Sequence, residues 1–169
     1  MDTQGTGNPL TRVLSKVLMV VVLIACLMFS IVYLNNRWRK IRDFRRNTDS
    51  QTIIKALEYY NQANGKYPAT NDNDGEGWDK SNDIADSSFL DPMVNIGLLS
   101  IRPFDPVNDV QKYYRYQRFD RGEFGCSRPF VIFQVTDFET TQLDIGKGEC
   151  PRFNFTELAP NGYTYQAFE

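Results

Sequence analysis

Three patterns of apolar and polar positions follow one another along the chain. From Val13 to Leu34 apolar residues run on with one charge, Lys16, among 22 positions. As a helix this run would rise about 33 Å, enough to cross a hydrocarbon core. Higher up, Ile53, Leu57 and Tyr60 recur at i, i+4 and i+7, with Ala56 and Ala63 widening the stripe and Asp49, Lys55, Glu58 and Gln62 falling off it. That is the period of a helix with one face turned to a core. From Tyr113 the signals become those of strands. Tyr113 to Phe119 is aromatic and partly alternating, Phe130 to Val135 is apolar on both faces as a central strand must be, and Tyr163 to Phe168 follows a Pro160-Asn161-Gly162 turn.

The breakers divide these patterns into elements. Neither proline nor glycine occurs from Leu10 to Asn64, so the pattern predicts one helix from Val13 to Asn64, about 78 Å long. Gly65 then supplies a left-handed helix end, and Pro68 forbids resumption. Phe89, Leu90, Met93, Val94, Leu98 and Leu99 predict a short second helix with Pro92 in its first turn and Gly97 near its end, and Pro103, Pro106 and Asn108 predict a rigid turn. The expected architecture is α+β: a disordered tail over 1–12, a transmembrane helix over 13–34, its extension over 35–64, and a globular head over 65–169. Within the head, 109–169 is mostly antiparallel sheet of three or four strands. The Ile53, Leu57 and Tyr60 stripe and the sheet each need a partner and are expected to bury one another.

Charge changes the picture next. Arg37, Arg39, Lys40, Arg42, Arg45 and Arg46 stand against one acid, Asp43, between residues 37 and 46, whereas from Asn47 onward 11 Lys and Arg face 19 Asp and Glu, a balance of −8. The acidic head argues against a nucleic acid ligand. The six basic residues suit a belt against anionic lipid headgroups, or equally a solvated face beside the membrane.

Cysteine and histidine usage bears on compartment and chemistry. Cys26 lies in the apolar run, and Cys126 and Cys150, with 23 residues between them, are the remaining cysteines. Such a pair in a small head suggests a disulfide formed in an oxidising space, two buried thiols being the alternative. The chain has no histidine, which removes the commonest general base, and no serine or cysteine stands in a recognisable nucleophile setting, so no catalysis is expected.

Four smaller motifs remain. With Asp72 at position one, Asp74, Glu76, Trp78 (through its carbonyl) and Asp83 fall at ligand positions of a calcium loop and Gly77 at its turn. The match is partial, since the glutamate is long, an aspartate closes the loop, and no pair of helices frames it. Leu23-Ile24-Ala25-Cys26 fits the site at which bacterial lipoproteins are cut and lipidated. Leu27 to Leu34 stays apolar, however, as a spanning helix requires and a lipid tether does not. Asn154-Phe155-Thr156 matches a glycosylation sequon by pattern alone. Tyr113, Tyr114, Tyr116 and Phe119, interleaved with Arg115 and Arg118, could stack on bases or sugars, but on a strand such residues more often build sheet faces.

Together these parts resemble a known family, the type IV pilin-like proteins and the pseudopilins of type II secretion, the major pseudopilins in particular. The resemblance is carried by Arg42-Asp43-Phe44-Arg45-Arg46, Asp49, Ile53-Ile54, Ala56-Leu57-Glu58-Tyr59-Tyr60 and the helix stop Asn64-Gly65-Lys66-Tyr67-Pro68. Further on it is carried by Gly77-Trp78-Asp79-Lys80-Ser81, Phe89-Leu90, Gly97-Leu98-Leu99, Pro103-Phe104-Asp105-Pro106-Val107-Asn108 and the late cysteine pair. It covers the chain from Arg42 onward. The start is atypical: Pro9-Leu10-Thr11-Arg12-Val13-Leu14-Ser15-Lys16 stands where prepilins carry a glycine junction followed by Phe-Thr-Leu-Ile-Glu or close to it. The resemblance implies a pilin-like fold and a subunit that assembles through its lower helix, where Leu18, Val21, Val22 and Leu23 would pack.

Topology is contested by charge, because the six basic residues after the span would hold the head in the cytoplasm. The cysteine pair and the resemblance place it outside, and outside is expected. The resulting expectation is a non-enzymatic, single-pass membrane subunit of a pilus or type II secretion-like assembly, with an extracytoplasmic head. Its partners would be the membrane and copies of itself or other pilin-like subunits, and its cofactors none, or calcium at the Asp72 to Asp83 loop. The alternative is a single-pass or lipid-tethered extracytoplasmic binding module that does not polymerise.

Overall fold

A computed structural model describes residues 9–71, 75, 77–83 and 88–169. Two compact units divide the chain, one ending at Arg39 and the other comprising Lys40–Glu169. Helix α1, Pro9–Asn64, begins in the first unit and ends in the second. It is helical from Pro9, four residues sooner than the tail expected over 1–12. Proline suits a first helical turn, where its missing N–H is not needed, and no breaker follows it. In the first unit the apolar side chains are exposed along the whole run, from Val13 at 61% to Leu34 at 52%.

In the second unit α1 stops where the sequence stops it. Gly65 takes φ 71° and its N–H donates to the Asn61 carbonyl at 2.8 Å, while the Asn64 amide donates to the Tyr60 carbonyl. The second helix, α2, is a single turn, Asp91–Asn95, with Pro92 at its start and Met93 fully buried. Six strands follow or flank it: β1 Asp79–Lys80, β2 Tyr114–Phe119, β3 Phe130–Val135, β4 Glu149–Cys150, β5 Phe153–Asn154 and β6 Tyr163–Phe168. The main sheet is antiparallel in the order β1-β2-β3-β6, and β4 and β5 form a separate hairpin.

Register sorts the side chains onto two faces. Tyr114, Tyr116, Val131, Phe133 and Val135 face one way and pack with Ile53, Ala56 and Leu57 of α1, together with Phe89, Leu90, Met93 and Leu99. Phe119, Phe130 and Ile132 face the other way and meet Phe155 and the cysteine pair. Burial on both sides is why every residue of β3 is buried and why its sequence shows no alternation. Cys126 and Cys150 are joined in a disulfide within that second cluster. Gly146 is where a loop crosses the edge of β6: an added Cβ would lie 1.8 Å from the Thr164 carbonyl oxygen.

Candidate functional site

The candidate residues fall on the apolar surface of α1, in an ionic cluster around Arg46, and in the core where α1 meets the sheet. In the first unit, Leu18, Val21, Val22 and Leu23 are 64%, 56%, 52% and 57% exposed. An 18-residue window of α1 reaches a mean hydropathy of 3.0 with none of it buried, so the helix is long and apolar enough to cross a membrane. Water would leave this surface uncompensated, since exposed apolar area on this scale needs lipid or another apolar surface.

The basic run after it divides. Arg46 is fully buried: its Nε and Nη2 form a fork on Asp105 at 2.6 and 2.8 Å, and Nη1 reaches Asp43 at 2.7 Å and Glu139 at 3.0 Å. Arg42 forks onto Glu139 from the other side, with Nε at 2.6 Å. Asp43 in turn accepts from the backbone N–H groups of Glu139 and Thr140 and from the Thr140 hydroxyl, and Asp105 accepts from the N–H of Val107. The lipid belt expected from Arg37 to Arg46 is therefore corrected. Arg46 and Arg42 are committed to the head's own carboxylates, because a buried guanidinium must be met by charge and hydrogen bonds. Arg45 pairs with Asp49 at 3.5 Å and lies over the Phe104 ring, though its side chain remains 47% exposed. Arg37 and Lys40 are exposed.

The electrostatics follow from these contacts. Burial works against the charged form of Arg46, yet the bonds to Asp105, Asp43 and Glu139 hold it protonated above its ordinary range. The hydrogen bonds from Arg42 carry Glu139 down to about 2. Burial lifts the Tyr114 phenol, with the neighbouring Asp49 adding to it, and its hydroxyl donates to Asp49 at 2.9 Å. These groups tie α1 to the segments around Asp105 and Glu139.

Ile53 and Leu57 are fully buried against the sheet, and Tyr60 packs at the edge of the same cluster. Of the expected calcium ligands, Asp72, Asp74 and Glu76 lie outside the described residues. Trp78 and Asp83 are among the described residues; the Trp78 ring lies beneath Arg115 at 4.4 Å and edge-on to Phe119 at 6.0 Å, contacts of the ring and not of the carbonyl expected to bind calcium, and Asp83 is half-buried. Asp105 and Glu139 were missed as partners of Arg46. The only local signal was Asp43 three residues before Arg46, a spacing at which helix side chains meet; the other two carboxylates come from 59 and 93 positions away.

Compared with known proteins, the chain matches no family model, and no curated protein and no solved structure is similar to it.

Proposed function

We propose that this protein is a non-enzymatic, membrane-anchored subunit with a pilin-like fold, which works by assembling with copies of itself or with related subunits through α1. The observation that carries this is the exposed apolar surface of α1 in the unit ending at Arg39, on a chain whose other unit packs the end of the same helix against an antiparallel sheet. A tether needs only to span. A packing helix needs in addition to be held in a fixed register to its head, and the buried Arg46 cluster supplies that within the second unit. The disulfide supports an extracytoplasmic head, since such bonds persist in oxidising compartments.

Cys26 provides the test, being exposed and in the apolar run. In native membranes a membrane-permeable bis-maleimide should join copies through Cys26 into dimers, or into heavier adducts with related subunits. Capture of single chains only, with Cys26 shown to react, would favour a tethered module that does not assemble.

A further inference from the structure

Asp43, Asn47 and Gln51 are spaced four residues apart on α1 and share one side of the helix with Ser50. Asp43, the lowest of them, pins the segment that follows β3: it accepts from the Thr140 N–H at 2.8 Å and from the Thr140 hydroxyl at 2.6 Å. Five residues on, the same segment is pinned to β6. The Ile145 carbonyl accepts from the Thr164 N–H at 2.9 Å, and the Lys147 N–H donates to the Thr164 carbonyl at 2.9 Å. Residues 141–144 therefore form a span held at both ends.

Between its pins the span leaves a cleft against the helix. A cavity of about 390 Å³ is lined by Asn47, Ser50 and Gln51 of α1, by residues 141–144, and by Tyr163 at the start of β6. That volume is in the range of ligand sites, about 300–1,000 Å³. Leu143 is fully exposed and does not fill it. Carboxamides stand on both walls, yet no side-chain hydrogen bond joins Asn47 or Gln51 to another described residue. Asp144 is the one charged residue of the lining, and no lysine or arginine among the described residues lines it, so nothing there would neutralise a phosphate or carboxylate. Carboxamides and hydroxyls instead combine donors with acceptors, which is what pairing with a hydroxyl requires. Tyr163 is half-buried and adds an aromatic ring; burial lifts its phenol, and the charge of Asp144 adds to the lift. A second cavity, of about 270 Å³, shares Thr141 and Gln142 and carries the polar lining on to Asn161.

We propose that the cleft between α1 and residues 141–144 is a binding site of the head for a neutral saccharide. Asn47 and Gln51 supply its hydrogen-bonding wall, Asp144 accepts from sugar hydroxyls, and Tyr163 offers a ring to the apolar face of a sugar. The two pins preorganise the walls, so little ordering is left for the ligand to impose. The site is independent of assembly through α1.

The full chain in phosphocholine micelles, whose detergent carries no sugar, can be titrated with maltose, cellobiose and chitobiose while the side-chain amide resonances of Asn47, Gln51 and Gln142 are followed. At least one disaccharide should shift them saturably, with half-saturation on the order of 1 mM, and the midpoint should not move between low and high sodium chloride, because the ligand is neutral. Gln51 is exposed, so Gln51→Ala should keep the fold and weaken the affinity about three- to tenfold. In the unsubstituted protein the Tyr163 ring resonances should move with the same midpoint, a reading that needs no variant. Binding of the matching tetrasaccharide at least about tenfold tighter assigns a glycan chain running on toward Asn161; equal affinity assigns a short free sugar. Silence with all three disaccharides, equal shifts with the open-chain polyol sorbitol, or an affinity unchanged in folded Gln51→Ala and Asn47→Ala proteins would overturn the site.

Discussion

Arg46 and Arg45 are neighbours in a basic run, and only the fold tells them apart. Arg45 is half exposed, whereas Arg46 is enclosed by Asp43, Asp105 and Glu139. Removing one partner from such a cluster strands buried charge, so Arg46→Ala should lower the head's unfolding free energy by about 3–5 kcal/mol. Arg37→Ala, on an exposed side chain, should stay within about 0.5 kcal/mol. Denaturant melts followed by near-ultraviolet circular dichroism separate the two, and equal effects would dissolve the clamp. Glu139 adds a pH signature. Its folded value of about 2 lies below its ordinary 4.5, so its contribution is complete above 4.5 and is lost as pH falls toward 2. Burial raises Asp49 and gives it the opposite slope. Thermal melts should therefore show stability falling through that acid window, with a shallower fall in Glu139→Gln; an unchanged slope would remove Glu139 from the account. None of this was legible in the sequence beyond Asp43, because Asp105 and Glu139 sit in turns whose approach to α1 is set by tertiary packing.

At the scale of elements, periodicity and breakers carried further. The central and last long strands have the bounds their sequences suggest, Phe130–Val135 and Tyr163–Phe168, because burial on both faces and a proline-asparagine-glycine turn are local signals. The Asn64-Gly65 stop lies in the residues that form it. Asp79–Lys80 escaped notice since a two-residue strand exists only by pairing with Tyr116 and Arg115. So did the hairpin of Glu149–Cys150 and Phe153–Asn154, which frames the disulfide. That disulfide joins residues 24 apart, and Cys150→Ser should cost about 2–4 kcal/mol on the chain-entropy account. Leu57→Ala, opening a void where α1 meets the sheet, should cost about 2–5 kcal/mol. Chemical denaturation of each variant against wild type measures both losses, and a loss under about 1 kcal/mol at Leu57 would mean that α1 is not integral to the core.

For the whole molecule, the apolar run of α1 was the plainest feature of the sequence, and what covers it is the question on which function turns. The structure gives the helix an exposed apolar surface in one unit and a buried, ion-paired face in the other. Lipid alone could cover the first. Assembly through Leu18, Val21, Val22 and Leu23 is the proposal that also accounts for a helix fastened so firmly within its head. The mass of the complex taken from native membranes in polymer-bounded discs, without detergent, tests this most directly. Assembly predicts particles holding several chains of 19.5 kDa, or this chain with related subunits, shifting to single chains when Val21 and Val22 are replaced by arginine-free bulky polar residues such as glutamine. Single chains in the unsubstituted protein, at its natural abundance, would contradict it.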